Sequence, residues 1–112
     1  MKLPVLDRAF VLEAPEVVSD GAGGVVEGWI ALGTLWAEVT ARSGRETAQA
    51  GAPVSRGSYR IVVRGAPFGT TGRPAPQQRL RDGARIFTIL SVSEWDRAGR
   101  YLTCLAEEEV AV

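Results

Sequence analysis

The side chains that could act as nucleophiles, acids, bases or metal ligands are few in this sequence, and their spacing suits none of those tasks. Histidine is absent. Its absence removes the usual general base at neutral pH, the usual zinc and iron ligand, and the base of Ser/His and Cys/His pairs. Cys104 is the single cysteine, so neither an intrachain disulfide nor a cysteine-rich metal site can form. It sits between Thr103 and Leu105 in a strand-like run, which predicts a buried, inert thiol. Amine chemistry would fall on Lys2 alone, and the carboxylates of Asp7, Glu13, Glu38 and Asp82 show no pairing that sequence spacing supports. A phosphate cradle requires a strand, a Gly-rich turn and a helix; residues 21–24 are Gly-rich but lack lysine and precede a strand, so they read as a turn. These residues predict a protein that binds macromolecules, with no catalytic residue, no cofactor and no metal.

Charge says how it could bind. The 13 basic and 13 acidic residues cancel, but they are segregated along the chain. Residues 1–41 carry two basic and six acidic groups, whereas residues 42–85 carry nine arginines against Glu46 and Asp82. Separate basic and acidic faces on a neutral protein suit oriented contacts between copies; the plainer alternative is that folding mixes these segments in space. Glu107, Glu108 and Glu109 read as a solvated acidic tail, with docking to a basic partner as the second reading. A single-strand nucleic-acid binder would need exposed aromatics, and Tyr59, Phe87 and Tyr101 are candidates. Their alternation with aliphatic residues reads better as core.

The elements that must position these groups are strands. A chain of 112 residues with 46% hydrophobic and 23% charged residues is a globular chain sized for one domain, residues 1–112. No apolar run approaches the roughly 20 residues of a membrane helix, and residues 1–10 lack a signal-peptide core, so synthesis in the cytoplasm without membrane association is expected. Period-two alternation is clearest at residues 58–64, where Tyr59, Ile61 and Val63 share a face and only Val62 breaks the polar pattern opposite. Residues 85–93 and 100–107 flank a Gly-ended polar link and predict an antiparallel hairpin. Residues 8–14 and 36–42 are two further strands, and residues 25–30 form another after the turn at 20–24. The expected fold is mainly β, a small antiparallel barrel or sandwich of five to six strands. Two long loops, residues 42–57 and 65–79, are expected to be functional, with a helical turn at 46–52 in the first. Trp36, beside Ala37 and Val39, reads as core; Trp95, in the polar link, reads as surface or interface.

The order of motifs carries a resemblance. Leu6-Asp7-Arg8 opens the first strand, Asp20 with Gly23-Gly24 turns before Trp29, and Trp36-Ala37-Glu38-Val39 leads to Ser43-Gly44-Arg45-Glu46. Residues 59–64, then Asp82-Gly83-Ala84-Arg85-Ile86-Phe87, and finally Arg100-Tyr101-Leu102-Thr103-Cys104 complete the series. In this order the chain resembles the head-closure, or stopper, proteins of tailed phages and gene transfer agents. Residues 65–78 depart from that family by being longer and richer in Pro and Gly. The resemblance implies a small β-barrel acting as a structural virion neck component. Its partners would be its own copies in a cyclic ring, an adaptor or portal-side protein above, and a tail terminator or tail-tube protein below. Double-stranded DNA would pass through the ring. A tail terminator or other neck ring protein is the alternative within the particle, and a small nucleic-acid-binding barrel the alternative outside it.

On that reading the candidate interface comprises Arg42, Arg45, Glu46, Arg56, Phe68, Arg73, Arg79 and Trp95. The arginines lie in or beside the two long loops, where they could meet a neighbouring subunit, solvent or passing DNA. Subunit contact is preferred, because tight phosphate binding would impede a conduit.

Overall fold

In a computed structural model, residues 2–49 and 52–111 are described, and side chains are described outside residues 43–55 and 110–111. Six strands account for the fold: β1 Arg8–Ser19, β2 Val25–Gln49, β3 Ala52–Arg64, β4 Arg79–Asp82, β5 Arg85–Glu94 and β6 Tyr101–Ala111. Every pairing is antiparallel, and the order β1-β2-β3-β6-β5-β4 closes into a barrel. Closure rests on β1 and β4, which pair only over Val11, Leu12 and Glu13 against Arg81, Leu80 and Arg79. No α-helix occurs among the described residues.

The core follows the pleat. Phe10 and Leu12 of β1, Ala37 of β2, Ile61 and Val63 of β3, and Leu80 of β4 point inward with Phe87, Ile89, Leu102, Cys104 and Ala106. Phe87 is the hub, meeting Phe10 and Tyr59 edge-on at centroid distances of 5.4 and 5.1 Å, an arrangement favoured by the ring quadrupoles. The predicted inward face Tyr59, Ile61 and Val63 is the observed one. Val62 is buried as well, outside that cluster.

The turns depend on specific residues. Asp20 Oδ1 accepts from the amides of Ala22 (2.7 Å) and Gly24 (3.0 Å), while Gly21 and Gly23 take positive φ. The β4–β5 turn has Gly83 at φ 62° and Ala84 at ordinary φ, the glycine-first pattern of a tight hairpin that matches strand twist. Gly65 sits so close to the 94–99 link that a Cβ would strike the Gly99 carbonyl oxygen. Its amide donates to the Arg100 carbonyl at 2.8 Å.

Five expectations are corrected. Residues 42–57 are not a loop: β2 and β3 continue their ladder to the pair Gln49↔Ala52, with a bulge between Ala41 and Ser43. Backbone pairing needs no apolar side chain, so a polar, Gly-containing segment can extend a ladder begun elsewhere. The helical turn at 46–52 is accordingly strand at residues 46–49 and 52; residues 50 and 51 lie outside the described residues. Residues 25–30 and 36–42 belong to one strand, joined through a register shift opposite Leu12/Glu13 where Gly33 takes φ 146°. A bulge with a glycine lets a strand bend without ending. Trp36 is 57% exposed, because Leu35, Ala37 and Val39 occupy the inward positions and their neighbour must face outward. The acidic run is no solvated tail: it lies in β6, paired with β3 and β5. The short strand β4 supplies the closure that the sequence did not reveal; the expected loop 65–79 is a loop over residues 65–78, with Arg79 opening β4.

Candidate interaction surfaces

Two carboxylates are buried in the barrel wall, Glu13 at the outward face of the β1–β4 seam and Glu108 on the inward face of β6. Glu13, on β1 beside the closure, is 6% exposed and accepts from Arg79 Nε at 2.7 Å and Arg81 Nε at 2.8 Å. Burial pushes its pKa up, but the two guanidiniums outweigh burial and hold the carboxyl below its usual range. Arg79 also stacks 3.9 Å from the Trp29 ring, so one arginine ties the closure to β2. Glu108, on β6, accepts from Arg85 Nε (2.8 Å) and Nη2 (2.9 Å) and from the Tyr59 hydroxyl (3.2 Å). The Arg85 bonds keep Glu108 ionised against burial. A buried charge is tolerated only when paired in this way. Both pairs therefore serve the fold before any partner.

Outside the core, the surface divides into three regions. The first is a ribbon made by residues 14–19 of β1 and 25–30 of β2, beyond the last β1–β4 pair. Val17, Val18, Val25 and Val26 are 50–66% exposed on it, with Trp29 and Ile30 at its base. The second is the outer face of β2 and β3, where Trp36, Arg42, Arg60 and Arg64 are exposed. The third is the loop of residues 65–78, where Phe68 is 83% exposed beneath the Arg73 guanidinium, 3.7 Å from its ring. Arg73 also donates to the Ala66 carbonyl at 3.0 Å.

The candidate interface residues are not confined to these regions: Arg79 lies at the β1–β4 seam and Trp95 in the 94–99 link. Arg73 and Phe68 are brought together; the others are not. Arg42 is exposed on β2, while Arg45 and Glu46 lie on β2 opposite Arg56 and Ser55, with side chains outside the described residues. Arg56 bridges to Glu109 at 2.8 Å and approaches Glu107 at 3.9 Å. Arg79 is engaged by Glu13 and Trp29. Trp95 is half-buried, edge-on to Tyr101 at 5.4 Å, with its amide donating to the Tyr101 carbonyl at 3.0 Å. Asp96 anchors the same link: its carboxylate accepts from the Arg100 Nε (2.7 Å) and amide (2.8 Å), which lowers its pKa.

Sequence reasoning passed over the valine ribbon and placed Trp36 in the core. The signal was present in the repeated Val-Val pairs at 17–18 and 25–26: consecutive valines in a two-stranded ribbon cannot both point to one core. Cys104 is buried, and burial pushes its thiol up to about 12, the inert thiol expected.

The family described as phage head completion protein matches residues 1–109. The chain belongs to the phage head completion protein family. In solved structures it is similar to a chain described as the virion of a native gene transfer agent particle, at 52% identity and a TM-score of 0.88. The match covers 98% of this chain and 100% of that one. A comparison with curated proteins returns no match. The role expected from the order of motifs therefore stands: a structural component of the head–tail neck in a phage-like particle.

Proposed function

We propose that the chain is the head-closure subunit: several copies form a cyclic ring between a portal-side adaptor and a tail terminator or tail tube, with DNA passing through the centre. The observation that carries this is the shape of the barrel together with its similarity to the particle chain. A closed wall carries one extension from β1–β2 and another from β2–β3, and the long dimension reaches 53 Å. Two different projecting surfaces on one small subunit support heterologous contacts, which close into rings and leave neither surface bare. Candidate contact residues are Arg42, Arg45, Glu46, Arg56, Phe68, Arg73 and Trp95; Arg79 acts first within the subunit.

On this reading the protein is no enzyme and carries no cofactor, since its buried carboxylates are committed to arginines. A nucleic-acid-binding barrel is disfavoured because Phe87 is buried and Tyr59 packs against the core, which withdraws two of the three stacking candidates. Deleting the gene tests the proposal. Heads should fill with DNA, leak it and lack tails, and the chain supplied in trans should restore them. Tailed, DNA-retaining particles without the chain would overturn it.

A further inference from the structure

The β1–β2 ribbon is unusual for an element of a soluble barrel. Residues 14–19 and 25–30 pair only with each other, and two strands alone are marginal in water. Directly opposed residues share a face, so Val18 and Val26 lie on one side and Val17 and Val25 on the other. Both sides are apolar and exposed. The ribbon is also acidic, carrying Glu16, Asp20 and Glu27 and no basic residue. An acidic ribbon is unsuited to the phosphates of passing DNA.

A complementary surface exists on the same chain. An open hollow of about 430 Å³ is lined by Leu6, Thr34, Leu35, Trp36 and Arg64. Arg60 and Arg42 lie further along the same strands, both exposed and neither in an ion pair among the described residues. Exposed tryptophan flanked by arginine is the composition of an interface anchor.

The ribbon cannot fill the hollow of its own chain. Val26 and Thr34 lie on the same continuous strand, eight residues apart, a span of about 26 Å at strand rise. We propose that the apolar, acidic ribbon of one copy docks into the Trp36–Arg64 hollow of the next copy. The face carrying Val18 and Val26 enters the hollow, and Glu16, on that same face, meets Arg60 and Arg64. Pro15 within β1 lacks an amide hydrogen, which favours contact through side chains over addition of a strand. The contact uses two different patches, so repetition generates the ring. This inference rests on the ring reading above and specifies its surfaces.

Cysteines at both positions test it in assembled particles. In V26C/T34C the two thiols of one chain are too far apart to bridge, so every disulfide joins two chains. Oxidised particles should give a ladder of multiples of this chain on a non-reducing gel, absent from either single variant. A dimer from Val26→Cys alone would indicate ribbon-to-ribbon contact and overturn the inference. No ladder in particles whose neck images contain several copies round the axis would also overturn it, with the ring standing. Neck images with a single copy would overturn both. Charge gives an independent reading: Glu16→Arg should lower the yield of tailed particles about tenfold or more, and adding Arg60→Glu with Arg64→Glu should recover most of the loss. Unchanged yield from Glu16→Arg, or no recovery on adding the arginine reversals, would overturn the proposed pairing.

Discussion

Replacing Glu13 by glutamine keeps the shape of the side chain and removes its charge. The amide oxygen can still accept from one guanidinium, but the amide nitrogen then faces the other as donor against donor. Both bonds are short, at 2.7 and 2.8 Å, and Glu13 is 6% exposed. Charge-assisted bonds contribute about 1.5–3 kcal/mol each, and glutamine is easier to bury than a carboxylate, so the net loss is about 2–4 kcal/mol. For a domain of this size that lowers the melting temperature by about 8–16 °C. Thermal unfolding followed by circular dichroism measures it. The folded pKa of Glu13 lies below its ordinary 4.5, so its stabilisation is complete above that value and is lost as pH falls through the folded pKa. Parent and variant curves should therefore separate at pH 7 and converge in acid. A variant melting within about 2 °C of the parent at neutral pH would refute the assignment of Glu13 as the bond across the β1–β4 closure.

Three other outcomes follow from the same geometry. Phe87→Ala removes the central ring of the core and should cost about 3–5 kcal/mol in urea unfolding, whereas Trp36→Ala should stay within about 0.5 kcal/mol because the indole is exposed. Equal losses would contradict the assigned strand faces. Cys104 should resist an aromatic disulfide reagent at pH 8 in the folded protein and react at once in denaturant, since burial holds its thiol up at about 12; rapid reaction in the native state would contradict its burial. Asp96→Ala removes the carboxylate that holds Arg100, so limited trypsin digestion should cut faster after Arg97, and an unchanged rate would mean that the link is held elsewhere.

Much of the barrel was legible because its inward faces alternate over short windows. Residues 58–64, 85–93 and 100–107 carry their own period of two, and all three became strands. Tyr59 and Phe87 turn inward as expected, but Tyr101, expected in the core, faces outward because Leu102, Cys104 and Ala106 take the inward positions. What alternation cannot report is the partner. Residues 43–49 form a ladder because β3 lies opposite them, and β4 has four residues, too few to show a period. The ion pairs were hidden for a related reason. Glu13 and Arg79 are 66 residues apart in the chain and meet only through closure. Glu108 looked like one of three equivalent acids, yet its parity in β6 turns it inward while Glu107 and Glu109 face Arg56. Trp36 was misread by weighing residue type over parity. The candidate surface was legible in class, as exposed arginines near loops, but the ribbon and hollow required the register.

The shortness of the β1–β4 overlap has a mechanical meaning. A barrel wall resists stretching as a hoop does, and a hoop yields where the fewest bonds cross its circumference. Here that place spans Val11–Glu13 against Arg79–Arg81, and the ion pairs of Glu13 rivet it. Under a load that pulls the barrel apart, strain concentrates at this seam. The rupture force of the subunit is then set by three pairs of residues and one carboxylate, and thickening the core elsewhere would leave it unchanged.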